Sequence, residues 1–486
     1  MLTSSLEQNH AAILIAPRVQ GRMGALAAAA QAVMRKAIFF LFCAYAVLVL
    51  FAVGYDYAAT VELRKIGALL LMGGVAIGFF LDRNLLRGLL SPAGTVFGAF
   101  LLYQGIRLMH SSHEHYQAVE AGASPVFGQS TEWFFFLALF LISYGLCSRR
   151  SKVRTLLWSL VYGTVFLLVN CLPWLTSVRG QDYLKDSAHS FYFSFLSELP
   201  VVGRMIFGRF AHWNWAGDVI AVGFFVALGL LIYAFMDIES VRRRSANRMS
   251  INMLQMVSLL AVIAFAGLAV FAFYSRGTIL FFGAALFLFA AGLLLKYGHY
   301  RKVLWGLGLL AIALAGFALS SPAVIQEVRT LGREVRDPQS LQQNILGAKA
   351  ALAMAKKAPV WGVGTGRYEE VFPKVVTEVD RGRVEPTLAA AHPMNHYLLI
   401  RAEEGFGAWL YYGFLLTFVF YAVRGLVRTG SRFQFMAGLS VFCPVMMILA
   451  HASISQMLGN FNMALLLYLL MGVCLGVLKP GFRHSS

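Results

Sequence analysis

The segment from His392 to Gly405 brings together side chains that can bind anions, accept protons and donate hydrogen bonds. It reads His-Pro-Met-Asn-His-Tyr-Leu-Leu-Ile-Arg-Ala-Glu-Glu-Gly, and it connects a long polar segment to an apolar one. His392 and His396 are four residues apart, and Pro393 is favoured in the first turn of a helix. If the helix begins there, both imidazoles project from one face, where a neutral ring can accept a hydroxyl proton near pH 7. A structural role and half of a zinc site are the alternatives.

Three arginines beside apolar runs are candidates for binding an anionic group. Arg204 and Arg209 precede one run, and Arg276 lies in the short hairpin Ser275-Arg276-Gly277 between two others. A guanidinium stays charged and presents a fork of donors that matches phosphate oxygens. A head-group anchor or an ion pair with a loop carboxylate explains Arg204 and Arg209 equally well. A binding function is favoured for Arg276, because such a short hairpin rarely contains a costly cation.

The long polar segment, 322–397, contains two further patterns. Apolar residues at helical spacing predict a helix that ends before Pro359 and lies on the membrane or on the bundle; they are Leu341, Ile345, Ala348, Leu352 and Ala355. The next run, Trp361-Gly-Val-Gly-Thr-Gly-Arg367, superficially suggests a phosphate loop. It lacks the Gly-Lys-Ser/Thr ending and a preceding strand, so a structural turn is the better interpretation.

The composition is that of an integral membrane protein. Only 13% of the residues are charged, against about 25% in soluble domains, and the mean hydropathy is +0.68. Basic cytoplasmic loops explain the net charge of +18 better than nucleic-acid binding does. The five cysteines lie inside apolar runs, so we expect neither a disulfide framework nor a Cys-x-x-Cys metal site.

Apolar runs of about 17–25 residues are typical of membrane-spanning helices. Twelve runs predict an all-α polytopic membrane protein with about 12 transmembrane helices. The runs cover 37–54, 66–81, 88–107, 133–148, 153–175, 216–236, 253–274, 277–295, 303–321, 405–424, 434–455 and 460–478. Ser91-Pro92 interrupts the third run and weakens that assignment.

The distribution of charge predicts the orientation of the chain. Basic residues favour one set of loops, which contains only three acidic residues, so both termini are expected in the cytoplasm. The predicted organisation is a cytoplasmic segment 1–34, helices 1–9 over 35–321, an outer loop 322–397, helices 10–12 over 398–480 and a cytoplasmic tail 481–486. The outer loop is too long for a plain connection, which indicates a function.

Several of these features resemble the O-antigen ligases (WaaL type) of the bacterial O-antigen ligase and polymerase superfamily. They are the twelve spans with one long loop between the ninth and tenth, the Ser275-Arg276-Gly277 turn, the run Pro359-Val-Trp-Gly-Val-Gly-Thr-Gly366, and Asn395-His-Tyr-Leu398 with Glu403 and Gly405. A looser match is Arg204…Gly208-x-Phe210…Asn214, which resembles the family's Arg…Gly…Asn pattern.

The resemblance implies a GT-C-related glycosyltransferase that needs neither a metal nor a cofactor. It would act at the periplasmic face of a bacterial inner membrane, with a glycan on undecaprenyl pyrophosphate as donor and a sugar hydroxyl of lipid A–core as acceptor. Membrane lipids would surround it, and the transfer would invert the anomeric carbon. Arg276, with Arg204 or Arg209, would bind the pyrophosphate. Asn395 and Tyr397 would be substrate-binding motif positions.

The position of the family's histidine is occupied by another residue in this chain. The family's His-Asn pair falls on Met394-Asn395, and a methionine cannot act as a base. Either His392 or His396 then accepts the acceptor's proton, or the base is not a histidine.

The same sequence pattern is compatible with other functions. A repeat-unit polymerase or a protein O-oligosaccharyltransferase would share the motifs. A 12-helix transporter or flippase is a further alternative, although transporters typically have related halves and ionisable residues at the membrane midplane. Here the span centres are nearly free of charge and no repeat relates the halves.

Overall fold

The computed structural model describes most of the apolar runs and the second half of the polar segment. The described residues are 29, 32–34, 36–47, 91–120, 127–147, 149–176, 213–242, 246–272, 276–298, 338–379, 393–455, 458, 461–480 and 482. This part of the chain is all-helical, and residues 36–47 form a helical stretch. The helices that follow are α1 (Pro92–Glu120), α2 (Phe127–Leu146), α3 (Arg150–Thr176), α4 (Trp213–Arg242), α5 (Ala246–Ala272), α6 (Arg276–Lys296), α7 (Pro338–Lys357), α8 (Tyr368–Val379), α9 (His396–Glu404), α10 (Gly407–Arg428), α11 (Arg432–His451) and α12 (Phe461–Leu478).

Six helices in the described ranges are long and apolar enough to cross a membrane. They are α3, α4, α5, α6, α10 and α11, and α2 and α12 contain shorter apolar stretches. All eight coincide with predicted spans, as expected for a multi-pass membrane protein. The predicted spans 66–81 and 303–321 lie outside the described residues, so the total of twelve stays a prediction.

The third predicted span begins at the dipeptide that weakened its assignment. The hydroxyl of Ser91 accepts a hydrogen bond from the backbone N–H of Gly94 at 3.1 Å, and Pro92 is the first residue of α1. A serine in this position caps a helix, and proline is tolerated in the first turn because its missing N–H is not needed there. Ser91-Pro92 therefore starts the helix, and α1 extends well past the predicted end at residue 107.

The helices α4 and α11 form the centre of one bundle, with α3, α5, α6 and α12 packed around them. Both central helices are buried along most of their length, whereas α6 and α10 each expose one apolar face. The exposed side chains include Leu280 and Phe287 on α6, and Leu416 and Phe420 on α10. Large apolar side chains on the outside of a bundle are typical of a protein surrounded by lipid.

Aromatic side chains hold α1, α2, α10 and α12 together. Phe97 on α1 stacks on Phe414 of α10 with ring centroids 4.5 Å apart. Phe136 on α2 stacks on Tyr468 of α12 at 5.0 Å. These rings supply a large buried area together with specific stacking geometry. They place the middle of α1 beside the junction between α9 and α10.

The helices α7, α8 and α9 form a second, smaller core. The predicted helix before Pro359 is present as α7. Ile345 and Leu352 are exposed at 46% and 48%, whereas Leu346 and Met354 are buried against α8 and α9. The sequence contains two overlapping apolar stripes on this helix, and only the position of α8 and α9 selects between them.

Candidate functional site

The helix α9 carries the motif Asn395-His-Tyr-Leu398 and begins one residue after Asn395. The side chain of Asn395 accepts a hydrogen bond from the backbone N–H of Leu398 at 3.0 Å, and its own backbone is extended. This is the geometry of an N-cap. The predicted start at Pro393 is therefore wrong by three residues, and helical periodicity does not relate His392 to His396. His392 itself lies outside the described residues.

The imidazole of His396 is buried beside two tyrosines. Its ring lies 6.1 Å from the rings of Tyr397 and Tyr411, centroid to centroid, and 4% of the residue is exposed. Within the described part of the chain its Nδ1 has no hydrogen-bond partner. Burial lowers the pKa of His396 to about 3. The ring is therefore neutral at physiological pH.

The start of α9 is fastened to the end of α11. The backbone N–H of His396 donates to the carbonyl of Ala452 at 2.9 Å, and the hydroxyl of Tyr397 donates to the carbonyl of Leu449 at 2.6 Å. A third bond reaches α10, where the hydroxyl of Tyr412 donates to the carbonyl of Tyr397 at 2.6 Å. The first two bonds satisfy carbonyl groups that the C-terminus of α11 would otherwise leave unpaired.

The glycine-rich turn after α7 lies against the other end of α9. The backbone N–H of Val363 donates to the carbonyl of Ala402 at 2.9 Å, and that of Gly364 donates to Glu403 at 3.1 Å. Two of the N–H groups that would cradle a phosphate are thus used within the protein. The predicted structural turn agrees with these bonds.

Two glycines allow the turn and the helix end to approach this closely. Gly362 has φ of 67°, and a Cβ there would lie 2.1 Å from the carbonyl oxygen of Glu403. Gly405 has φ of 54°, and a Cβ there would lie 2.4 Å from the carbonyl oxygen of Val360. Both positions need a left-handed backbone and direct contact between main chains, which only glycine permits without strain.

The helix α1 presents three polar side chains to this junction. Tyr103, Gln104 and Arg107 lie on one side of the helix, close to the turn after α7 and the end of α9. The hydroxyl of Tyr103 is 2.7 Å from the carbonyl oxygen of Val360, and its ring stacks on Trp361 at 5.7 Å. The guanidinium of Arg107 donates to the carbonyl of Glu403 at 2.9 Å. The glycine-rich turn is thus held between α1 and α9.

A buried carboxylate is the centre of this junction. Glu404 forms an ion pair with Arg107, and it accepts hydrogen bonds from Gln104 Nε2 at 2.6 Å and from Thr365 Oγ1 at 2.7 Å. Its side chain is fully buried, and that of Arg107 is 9% exposed. Buried charges need such partners, because removing a charge from water is costly. The network ties α1, the glycine-rich turn and α9 into one unit.

The neighbouring Glu403 has a different environment. Its Oε1 accepts a hydrogen bond from the backbone N–H of Tyr368 at 3.3 Å. Burial raises the pKa of this carboxyl group to about 8, and the charge on Glu404 acts in the same direction. Glu403 is therefore mostly protonated at pH 7, which the sequence alone does not indicate.

A second buried ionisable pair joins α4 to α11. The Nδ1 atom of His451 is 2.8 Å from Oδ2 of Asp218, and both side chains are almost completely buried. Sequence reasoning missed both residues, because each lies at the edge of an apolar run without any motif around it. The sequence feature that could have identified them is that ionisable residues are rare inside membrane spans.

The proposed anion-binding arginines are only partly described. Arg276 is the first residue of α6, so it lies at the N-terminus of a helix, where the helix dipole favours an anion. Arg204 and Arg209 lie outside the described residues. Within the described ranges, no group of three or more His, Cys, Asp or Glu side chains is arranged to hold a metal ion.

A cavity of about 1170 Å³ lies far from these residues. Ser91, Arg428, Ser431 and Lys479 are among the residues that line it. It opens near the start of α11, whereas the bonds to α9 lie at the other end of that helix. A helix of 20 residues is about 30 Å long, so the cavity is not part of the site built by α9.

A comparison with protein families finds one match. Residues 259–413 match the family Wzy_C, which is described as O-antigen ligase. The matched range contains Arg276, the glycine-rich turn and α9, while Arg107, Asp218 and His451 lie outside it. A comparison with curated proteins finds no match. The family resemblance drawn from the sequence is thus confirmed.

Proposed function

Because the chain is an O-antigen ligase-type family member, we propose that it transfers a glycan from undecaprenyl pyrophosphate to a sugar hydroxyl of lipid A–core. The reaction takes place at the periplasmic face of a bacterial inner membrane and completes a lipopolysaccharide. The membrane-length helices of the described part support the location in a membrane. The 12-helix, GT-C-related topology with both termini in the cytoplasm is part of this proposal.

One observation carries the proposal most directly. Two family motifs that are far apart in the sequence lie against the same end of α11. The imidazole of His451 faces Gly277, which follows Arg276, and the carbonyl of Ala452 accepts a bond from His396. Arg276, which we assign to the pyrophosphate, and α9, which we assign to the acceptor, are thus both held by the end of α11. A transferase has to hold its two substrates in a fixed relative position.

The arginines carry out the first part of the chemistry. Pyrophosphate is a good leaving group, so the enzyme mainly has to bind it and stabilise the charge that it gains. Arg276, with Arg204 or Arg209, supplies fixed positive charge for that purpose. The start of α6 adds backbone N–H groups and a favourable dipole. We expect the reaction to proceed without a metal ion, because these groups supply the charge.

A histidine accepts the proton of the attacking hydroxyl. A base works best when its pKa lies near the working pH, and the pKa of His396 is about 3. The buried ring therefore makes His396 the weaker candidate, and we assign the base to His392, with His396 as the alternative. Asn395 and Tyr397 belong to the site as residues that hold α9 in position.

The experiment is glycan transfer by the purified protein in lipid nanodiscs. Wild-type protein is expected to move the glycan to lipid A–core, and Arg276→Ala to lower the rate by roughly 100-fold or more. Arg424→Ala is the matched control, because this exposed arginine lies at the opposite end of the bundle. Activity should persist with EDTA. Transfer to a glycan repeat or to a protein acceptor, but not to lipid A–core, would identify a polymerase or a protein glycosyltransferase instead.

A further inference from the structure

The pair Asp218–His451 is an ionisable pair within two membrane-length helices. Asp218 lies in the first turns of α4 and His451 is the last residue of α11. Their side chains are 0% and 2% exposed. Ionisable residues in such segments are costly and usually serve a function, so this pair requires an explanation beyond packing.

The geometry of the pair determines which edge of the imidazole is available. Oδ2 of Asp218 lies 2.8 Å from Nδ1, so with an ionised carboxylate Nδ1 carries the ring proton and donates a hydrogen bond to Asp218. The ring is thereby fixed in one orientation with Nε2 on the opposite edge. This is how a carboxylate positions an imidazole in many enzyme and metal sites.

The opposite edge of the imidazole lies directly against the start of α6. A Cβ atom on Gly277 would be 2.3 Å from Nε2 and 2.7 Å from Cδ2 of His451. The ring therefore occupies the space that any side chain at 277 would need. The next residue, Thr278, interacts with the side chain of Asp218. Both members of the pair thus contact the first turn of α6, immediately after Arg276.

One polar atom of the pair is left without a partner. Within the described part of the chain, Oδ1 of Asp218 is buried and accepts no hydrogen bond. An unsatisfied buried carboxylate oxygen costs free energy, so its presence in a folded protein calls for an explanation, and a functional role is one. Replacing a buried ion pair by well-packed apolar residues is often neutral or stabilising, so packing alone does not explain this pair.

We propose that Asp218 and His451 are positioning residues, which hold the first turn of α6, where Arg276 stands, in place for binding the pyrophosphate of the donor. This inference rests on the proposed function and extends it to two residues outside the matched family range. Asp218 orients His451, and the ring of His451 supports the backbone at Gly277. The same end of α11 holds α9 through Ala452, so the pair also fixes the distance between the two substrate positions.

The test measures binding of undecaprenyl pyrophosphate, without glycan, to the full-length protein in nanodiscs. His451→Ala is expected to weaken binding about 10–100-fold, the range typical for loss of a residue that orients a ligand-binding group. Gly277→Ala should have a similar effect, because its methyl group displaces the imidazole. Asp218→Asn should retain most of the affinity, since its amide oxygen still accepts from Nδ1, whereas Asp218→Leu should not. Ser440→Ala, at a buried serine of the same helix, is the control and should bind normally.

A double-mutant cycle separates positioning from general stability. If His451 acts through Arg276, His451→Ala causes no further loss of binding in the Arg276→Ala background. An equal loss in both backgrounds, or unchanged binding in His451→Ala, overturns the positioning role while the proposed function stands. Wild-type protein that neither binds the lipid nor transfers a glycan overturns both. Gly277→Ala, which retains both Asp218 and His451 and only shifts the ring away from α6, provides the answer if His451→Ala does not fold.

Discussion

The ion pair between Arg107 and Glu404 allows a sharp test of how the site is assembled. We predict that Arg107→Met destabilises the protein strongly, although α1 carries none of the family motifs. The substitution removes the cation from a carboxylate that is fully buried, together with the bond to the carbonyl of Glu403. Glu404 would keep only Gln104 and Thr365 as partners.

The magnitude follows from the burial of the pair. Removing one partner of a buried ion pair costs about 3–5 kcal/mol, because the other charge remains without compensation. Glu404→Leu should cost a similar amount by leaving Arg107 unpaired. The loss of stability in the double variant should be smaller than the sum of the losses in the two single variants by about 2 kcal/mol or more. The reason is that no buried charge is then left without a partner.

The measurement is the free energy of unfolding of the four proteins in detergent, from denaturant titration at one pH and salt concentration. The exposed pair Lys357–Glu378 provides a matched control, with side chains 53% and 60% exposed. Its coupling energy should not exceed about 1 kcal/mol, because solvent screens an exposed pair. Equal coupling energies for the two pairs would refute the view that α1 and α9 are joined by a buried charge.

Two further predictions concern the buried groups of α9. Glu403 holds a proton in the folded protein up to about pH 8, whereas the unfolded chain releases it near pH 4.5, so stability should fall as pH rises between these values. Thermal unfolding from pH 5 to 8 should show this slope, and Glu403→Gln should reduce it; an unchanged slope would place its origin elsewhere. His396→Phe keeps a ring between the tyrosines and removes the unpaired Nδ1, so the melting temperature at pH 5 should not fall. A large fall in the melting temperature of His396→Phe would show that Nδ1 has a partner in the folded protein. Retained glycan transfer by this variant would exclude His396 as the base.

Local features of the site could be predicted where a single segment determines them. The glycine-rich turn was recognised as structural, because it lacks the residues that a phosphate loop needs. The end of α7 at Lys357 also agrees with the prediction, because proline ends a helix through its own geometry. The start of α9 was misplaced because two start signals compete, and the side chain of Asn395 caps more effectively than Pro393 begins a turn.

The partners of the charged residues could not be predicted. Arg107 and Glu404 are separated by 297 positions, and Asp218 and His451 by 233. Nothing in either local sequence specifies the other member, because each pairing depends on how several helices pack. The family motifs are equally uninformative here, since they identify Glu403 and Arg276 but not the residues that support them.

The sequence by itself determined which segments are membrane-length helices and which short runs carry the motifs. It did so because the length of an apolar run, the position of proline and the need for glycine are properties of one segment. Only the tertiary structure decided which face of α7 is buried, which histidine meets a carboxylate, and which of two adjacent glutamates carries the charge. Those outcomes depend on burial and on contacts between distant segments, which determine the free energy of each polar group in the folded protein.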